Sequence, residues 1–143
     1  MKLLSLKSDH SSFHPVIFKD GVNIIVGKQV APHNENDGNT YNGVGKSLTL
    51  HLIHFCLGSN SINSLAAKLP EWKFTLEFEI DVKRYTSTRD TKEQNKIDFC
   101  GERISVKEMR ETMLELCFGI TSPPKNLTWN TLFARFARRS RSS

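Results

Sequence analysis

Asn42-Gly43-Val44-Gly45-Lys46-Ser47 follows a polar stretch and precedes an apolar run of helical periodicity, and its residue types suit the cradling of a polyphosphate. Small residues let the backbone curl so that successive N–H groups point inward at phosphate oxygens. Lys46 would reach the β- and γ-phosphates of ATP, and the Ser47 hydroxyl would complete the shell of a Mg²⁺ ion. A helix starting at Lys46 adds the positive end of its dipole at the same place. Asn42, Gly43, Val44, Gly45, Lys46, Ser47 and the next residue, Leu48, are therefore the candidate nucleotide-binding residues, with Ser47 the candidate metal ligand.

The full form of this loop has a glycine five residues before Gly45, and the chain has Thr40 there. Gly27 ends the apolar run Val22-Asn23-Ile24-Ile25-Val26, where a strand would hand over to the loop, but a polar insert over residues 28–41 separates it from Asn42. The loop is thus read as split by that insert. With Ala31-Pro32-His33-Asn34-Glu35-Asn36-Asp37-Gly38-Asn39-Thr40 almost without apolar content, a mobile segment is expected, poised to order on nucleotide.

Other chemistry in the chain is weaker. His51 and His54 are three apart on the expected helix, but no third ligand is spaced to join them, which favours core or edge histidines. Cys56, Cys100 and Cys117 lack C-x-x-C spacing and are expected to be buried free thiols. Asn95-Lys96-Ile97-Asp98 matches the guanine-reading N-K-x-D of GTPases, and Asp98-Phe99-Cys100-Gly101 matches their D-x-x-G, yet the two overlap in the wrong order. Thr91-Lys92-Glu93-Gln94 before them is also no buried parallel strand, so both matches are read as chance in a charged hairpin.

Elements that could position the loop are legible on either side. Lys2 to Lys7, with Leu4 and Leu6 on one face, and His14 to Phe18 read as strands; Asp20-Gly21 signals a hairpin into a third strand over Val22 to Val26. The helix from Lys46 to Leu57 has apolar residues around most of its circumference, which requires packing on several sides, and Gly58 caps it. A short helix over Ile62 to Leu69 follows. Trp72 to Asp81 alternates apolar and polar without a fault, the mark of a strand with one wet face, with Trp72, Phe74 and Phe78 as core. Val82 to Arg89, Ile97 to Phe99 and Arg103 to Ser105 supply its partners, the last two joined at Cys100-Gly101. Ser105-Val106-Lys107-Glu108 is a capping box opening a helix with Met109, Met113, Leu116 and Cys117 on one side, which Gly119 stops. After Ser122-Pro123-Pro124, a basic helix over residues 128–143 is expected.

With 143 residues and 38% hydrophobic content the chain is read as one domain with a core of its own. No stretch approaches the roughly 20 apolar residues of a membrane span, and the N-terminal run is cut short of a signal-peptide core, so a cytoplasmic location is expected. The net charge of +5 owes much to Arg135, Arg138, Arg139 and Arg141. Arginines so clustered release counterions on meeting phosphates, which keeps a nucleic-acid-binding module without nucleotide use as the alternative function.

Taken in order, strand pair, split phosphate loop, buried helix and antiparallel meander, the chain resembles the N-terminal lobe of an ABC-type ATPase head, most specifically SMC-like and RecF/RecN-like coiled-coil ATPases. The residues that carry this are Phe18 to Gly27, the N-G-x-G-K-S at Asn42 to Ser47, and His51 to Gly58, a helix closing in Cys-Leu-Gly. Within that group it is similar to bacterial proteins of three-component ABC systems, which also carry a polar insert before N-G-V-G-K-S and a segment like Thr128-Trp129 and Arg135-Phe136. The resemblance implies an α/β fold, a P-loop NTPase lobe with a mixed sheet, a P-loop helix and an antiparallel β meander, binding ATP and Mg²⁺. It covers nearly all of this chain but the first part of the family alone: residues 128–143 would lead to a missing coiled coil, with a missing C-terminal head lobe or second ATPase head as partner, and DNA as a further one. No apolar run ends in paired acids and no Gly-Gly occurs, so the Walker B acids, signature loop and switch histidine have no counterpart in the 143 residues. Binding without hydrolysis is the activity expected of the chain alone, whether it is a fragment or a whole reading frame. The family's Mg²⁺-contacting glutamine has no assigned counterpart, since Gln29 and Gln94 are the two glutamines present.

Overall fold

Alternation in the sequence between Lys73 and Asp90 is realised as a long antiparallel hairpin at the centre of the sheet. The computed structural model of the chain describes residues 1–19 and 48–136, with side chains to residue 132. The expected strand at Val22 to Val26, the insert, the loop at Asn42 to Ser47 and the arginines beyond residue 136 lie outside the described residues.

Six strands form one sheet: β1 (Lys2–Ser8), β2 (Val16–Ile17), β3 (Lys73–Ile80), β4 (Lys83–Asp90), β5 (Lys96–Phe99) and β6 (Glu102–Ser105), in the order β2-β1-β3-β4-β5-β6. Every neighbouring pair is antiparallel. The mixed sheet expected from the resemblance is therefore corrected, among the described residues, to an antiparallel one; short turns from β3 to β6 can make no other pairing, because a parallel pair needs a long crossover. Asp81 and Val82 join β3 to β4 at φ 50° and 67°, and Cys100 and Gly101 join β5 to β6 at φ 50° and 86°. Positive φ at both central residues matches the twist of the flanking strands.

One face of this sheet is apolar. Phe74, Leu76, Phe78 and Ile80 from β3 and Tyr85 from β4 are buried there, beside Ile97 from β5. Lys73, Thr75, Glu77 and Glu79 alternate onto the opposite, polar face. In β1 the register slips between Leu3 and Ser5, so that Leu3 faces Phe78 and Leu6 faces Leu76. This bulge replaces the expected Leu4 and Leu6 face with one made by Leu3 and Leu6.

Helices cover the apolar face. Residues 48–56 form α1, followed by α2 (Asn63–Lys68), α3 (Val106–Phe118) and α4 (Trp129–Phe136). The core cluster joins α1 through Leu52 and Phe55, the turn after it through Leu57, α3 through Met109 and Met113, and α4 through Trp129. As the sequence implies, Ser105 caps α3, its hydroxyl accepting from the Glu108 N–H at 3.1 Å, and Gly119 ends it at φ 68°. Among the described residues no helix is long and apolar enough to cross a membrane.

Candidate functional site

α1 is where the candidate nucleotide residues meet the described structure. Leu48, the one member of the set that is described, follows Ser47 directly; it is half-buried and packs against the core. From Leu52 to Leu57 every residue is buried, histidine and cysteine included. A helix apolar all round has to be enclosed, and this one lies between the sheet, α3 and α4.

Its C-terminal end is held with unusual completeness. The backbone closes as a Schellman motif: the Ser59 N–H donates to the His54 carbonyl at 3.1 Å and the Gly58 N–H to that of Phe55 at 3.3 Å, with Gly58 at φ 98°. A helix end leaves several carbonyls without backbone partners. Here the five successive carbonyls from Phe55 to Ser59 each accept from a side chain. Arg89 Nη1 donates to Phe55 O at 2.7 Å and to Ser59 O at 2.8 Å, and the Ser87 hydroxyl to Cys56 O at 2.5 Å. Trp129 Nε1 donates to Leu57 O at 2.7 Å, and Arg110 Nε to Gly58 O at 2.7 Å. Three elements, β4, α3 and α4, thus converge on one helix end, and two of the donors are cations set against the negative pole of the dipole.

Arg89 is the most unexpected residue of the site. It lies on the apolar face of β4, 1% exposed, with its guanidinium carbon 4.3 Å from the centre of the Phe55 ring. Its Nε donates to Gln94 O at 2.8 Å, while Nη2 is buried without a partner. No carboxylate pairs with it among the described residues. Burial accordingly pulls its pKa down to about 10, the neighbouring Cys56 thiol opposing and Arg110 reinforcing the shift. Cys56 itself is pushed up to about 12 by burial, partly offset by Arg89.

Residues 91–94 brace the same corner. Gln94 Oε1 accepts from the Ile62 N–H at 2.6 Å, and its Nε2 donates to Ile62 O at 3.0 Å and Thr91 O at 2.9 Å. Both ends of this amide are engaged with backbone, which ties residues 91–94 to Ile62.

The guanine-reading match fares as the charged-hairpin reading requires. Lys96 to Phe99 is the edge-side strand β5, where Asp98 faces Arg103 and lies 3.6 Å from its Nη1. Arg103 also pairs with Glu93, and Lys92 with Glu71 at 2.8 Å. A groove of about 420 Å³ over this polar face is lined by these paired charges together with Lys73, Asp90 and Lys96. The Glu71 carboxyl is held low and the Lys92 amine high, first by their mutual hydrogen bond. His54 is buried and His51 half-buried, and among the described residues no cluster of His, Cys, Asp and Glu is arranged to hold a metal. Of the three free thiols Cys56 is buried, Cys117 intermediate and Cys100 exposed. That corrects the expectation for Cys100, because the turn it shares with Gly101 points it outward. Trp72 is half-buried and stacks on His10 with ring centres 3.9 Å apart, whereas Phe74 and Phe78 are core as expected.

Sequence reasoning missed Arg89, Ser87 and Arg110 altogether. The one signal available for the first two was their phase: both share the alternation of Tyr85 and so belong to the inward face of β4. In comparison with known proteins, no family model matches the chain and no curated protein matches it.

Proposed function

We propose that this chain is the ATP-binding N-terminal lobe of an SMC-like ATPase. The observation that carries the reading is the run Asn42 to Ser47 leading directly into α1, a helix enclosed by the core and tied at its far end to β4, α3 and α4. A phosphate loop functions when its helix N-terminus is fixed, since the donors must already point at the phosphates when these arrive. Lys46 contacts the β- and γ-phosphates and Ser47 holds Mg²⁺. An antiparallel meander and a capped helix after α1 agree with the lobe's expected order of elements.

Phosphoryl transfer depends on positioning and electrostatic stabilisation, including a group that orients the attacking water. Those groups have no counterpart among the 143 residues, so the chain by itself binds nucleotide and turns it over negligibly. Binding of Mg-ATP, followed as a rise in melting temperature, tests the reading. Lys46→Ala removes charge-assisted contacts worth about 1.5–3 kcal/mol, or about ten- to a hundredfold in affinity. A thermal shift that persists unchanged in Lys46→Ala, or ordinary enzymatic turnover by the purified chain, refutes it.

A further inference from the structure

We infer that the outer edge of β6, with the acidic groove beside it, is a docking surface for a partner segment that adds as a strand and carries lysine or arginine at alternate positions. The inference is independent of the nucleotide reading. β6 ends the sheet, and among the described residues no strand pairs with its outer side. Its backbone phase follows from the register: Ile104 lies opposite Ile97 and Glu102 opposite Phe99, and the Val106 N–H donates to Asn95 O at 3.3 Å. Bonding to β5 therefore falls on Glu102 and Ile104, and alternation turns the N–H and C=O of Arg103 and the N–H of Ser105 outward. Those are the groups with which an added strand pairs.

Chemistry beside the edge decides what that strand carries. Between β6 and α3 lies a groove of about 520 Å³ whose apolar lining includes the buried Leu114 and the half-buried Ile104 and Ile120. Every ionisable side chain lining it is a carboxylate: Glu102 from β6, and Glu108, Glu111 and Glu115 from α3. All four are exposed, and none pairs with a cation among the described residues. This is so in a chain where Lys and Arg outnumber Asp and Glu by 20 to 15. Arg103, the cation of β6, is turned to the opposite face of the sheet, where it meets Glu93 and Asp98. Glu108, Glu111 and Glu115 form one stripe of α3 about 10 Å long, and like charges at this spacing repel, a cost that a cationic partner relieves. Side chains of an added strand alternate between faces, so every second one enters the groove, about 7 Å from the next. Two cations there meet Glu102 and the α3 stripe, while their methylene stems lie against Ile104 and Ile120. A second copy of the chain pairing edge to edge would bring the same carboxylates into this space, so like charge works against self-association.

The test is an NMR titration of the isotope-labelled full chain with a synthetic peptide that alternates lysine and valine. Two relatives serve as controls: one with glutamate in place of lysine, and one with every backbone amide N-methylated, which keeps the charges but cannot donate. The expected result is saturable shifts of the Arg103 and Ser105 amides and of those from Glu108 to Glu115 with the lysine peptide, and none with either relative. The double variant Glu111→Gln and Glu115→Gln keeps two good helix formers on an exposed face. It should bind the lysine peptide about three- to tenfold more weakly, the range for two exposed ion pairs. No shift at these amides with the lysine peptide, equal binding by the N-methylated relative, or an affinity that the double variant leaves unchanged each overturns the inference. Shifts of Arg103 and Ser105 that move with the concentration of the chain alone overturn it in favour of a second copy. The peptide comparisons use the wild type, so they decide the matter even if the double variant does not fold.

Discussion

Replacing Arg89 by methionine is the sharpest test of how the α1 corner is held together. Methionine fills most of the space along β4 but cannot donate, so the carbonyls of Phe55, Ser59 and Gln94, now met at 2.7, 2.8 and 2.8 Å, all lose the arginine; Phe55 O keeps the Gly58 N–H, while Ser59 O and Gln94 O are stranded. Each stranded acceptor costs about 1–3 kcal/mol, roughly 4 kcal/mol for two at mid-range, and the lost charge-assisted bond to Phe55 O adds about 2 kcal/mol, roughly 6 kcal/mol together. Against that stands relief of a buried charge. A pKa drawn by burial well below the ordinary guanidinium range, to about 10, corresponds to about 3 kcal/mol, since each unit is about 1.4 kcal/mol. The difference leaves Arg89→Met less stable by about 3 kcal/mol, in line with the general cost of breaking a buried charge network. Ordinary ion pairs can be replaced by apolar residues because both partners are side chains; here the partners are backbone and stay behind. Urea unfolding followed by circular dichroism measures the loss directly, and the melting temperature should fall by about 10 °C. A loss below about 1 kcal/mol would refute this account, because the carbonyls would then have found water or other donors at no cost.

Three further outcomes are expected. Cys56 has its folded pKa raised to about 12 from 9.0, so the unfolded thiol ionises first as pH rises; stability from this group is complete below pH 9 and is lost toward pH 12. Unfolding free energies between about pH 8 and 10.5 should therefore decline less steeply in Cys56→Ala than in the wild type, by up to about 1.4 kcal/mol per pH unit. At Gly58, φ 98° and an Arg110 Cγ only 3.3 Å from where an added methyl would stand make Gly58→Ala destabilising by about 1–2 kcal/mol, read from thermal melts; an unchanged melt would mean that α1 ends differently. If the arginines near the C-terminus bind nucleic acid, affinity for duplex DNA should fall steeply between about 50 and 200 mM salt and vanish on deletion of residues 138–143; salt-insensitive binding would exclude that alternative.

Much of the fold can be read from residue order because its signals are local. Perfect alternation from Trp72 to Asp81 can satisfy water on one side and a core on the other only as a strand, and β3 duly runs from Lys73 to Ile80. The capping box at Ser105 and the glycine at Gly119 delimit α3 for equally local reasons. The positive-φ turn at Asp81-Val82 is not so plain, since valine is a poor candidate for φ 67° and it is the tight hairpin that imposes the conformation. Leu4 in β1 shows the limit of pattern reading: a single bulge against β3 packs the half-buried Leu3 against the core instead, and nothing in Lys2 to Lys7 signals it.

The candidate loop at Asn42 to Ser47 belongs wholly to the sequence, in which small residues, a lysine and a serine stand at phosphate-binding spacing before an apolar helix. What the sequence determined, then, is the chemistry a short run can offer and the elements that periodicity enforces. Tertiary structure alone decided how α1 is held. Arg89, Ser87, Arg110 and Trp129 lie between 30 and 72 residues downstream of the carbonyls they meet, and an arginine on an apolar strand face gives no hint of its partners until the helix end arrives. Side-chain donors meet backbone acceptors of any sequence, so the pairing leaves no trace in residue identity and becomes visible only when packing brings the two together.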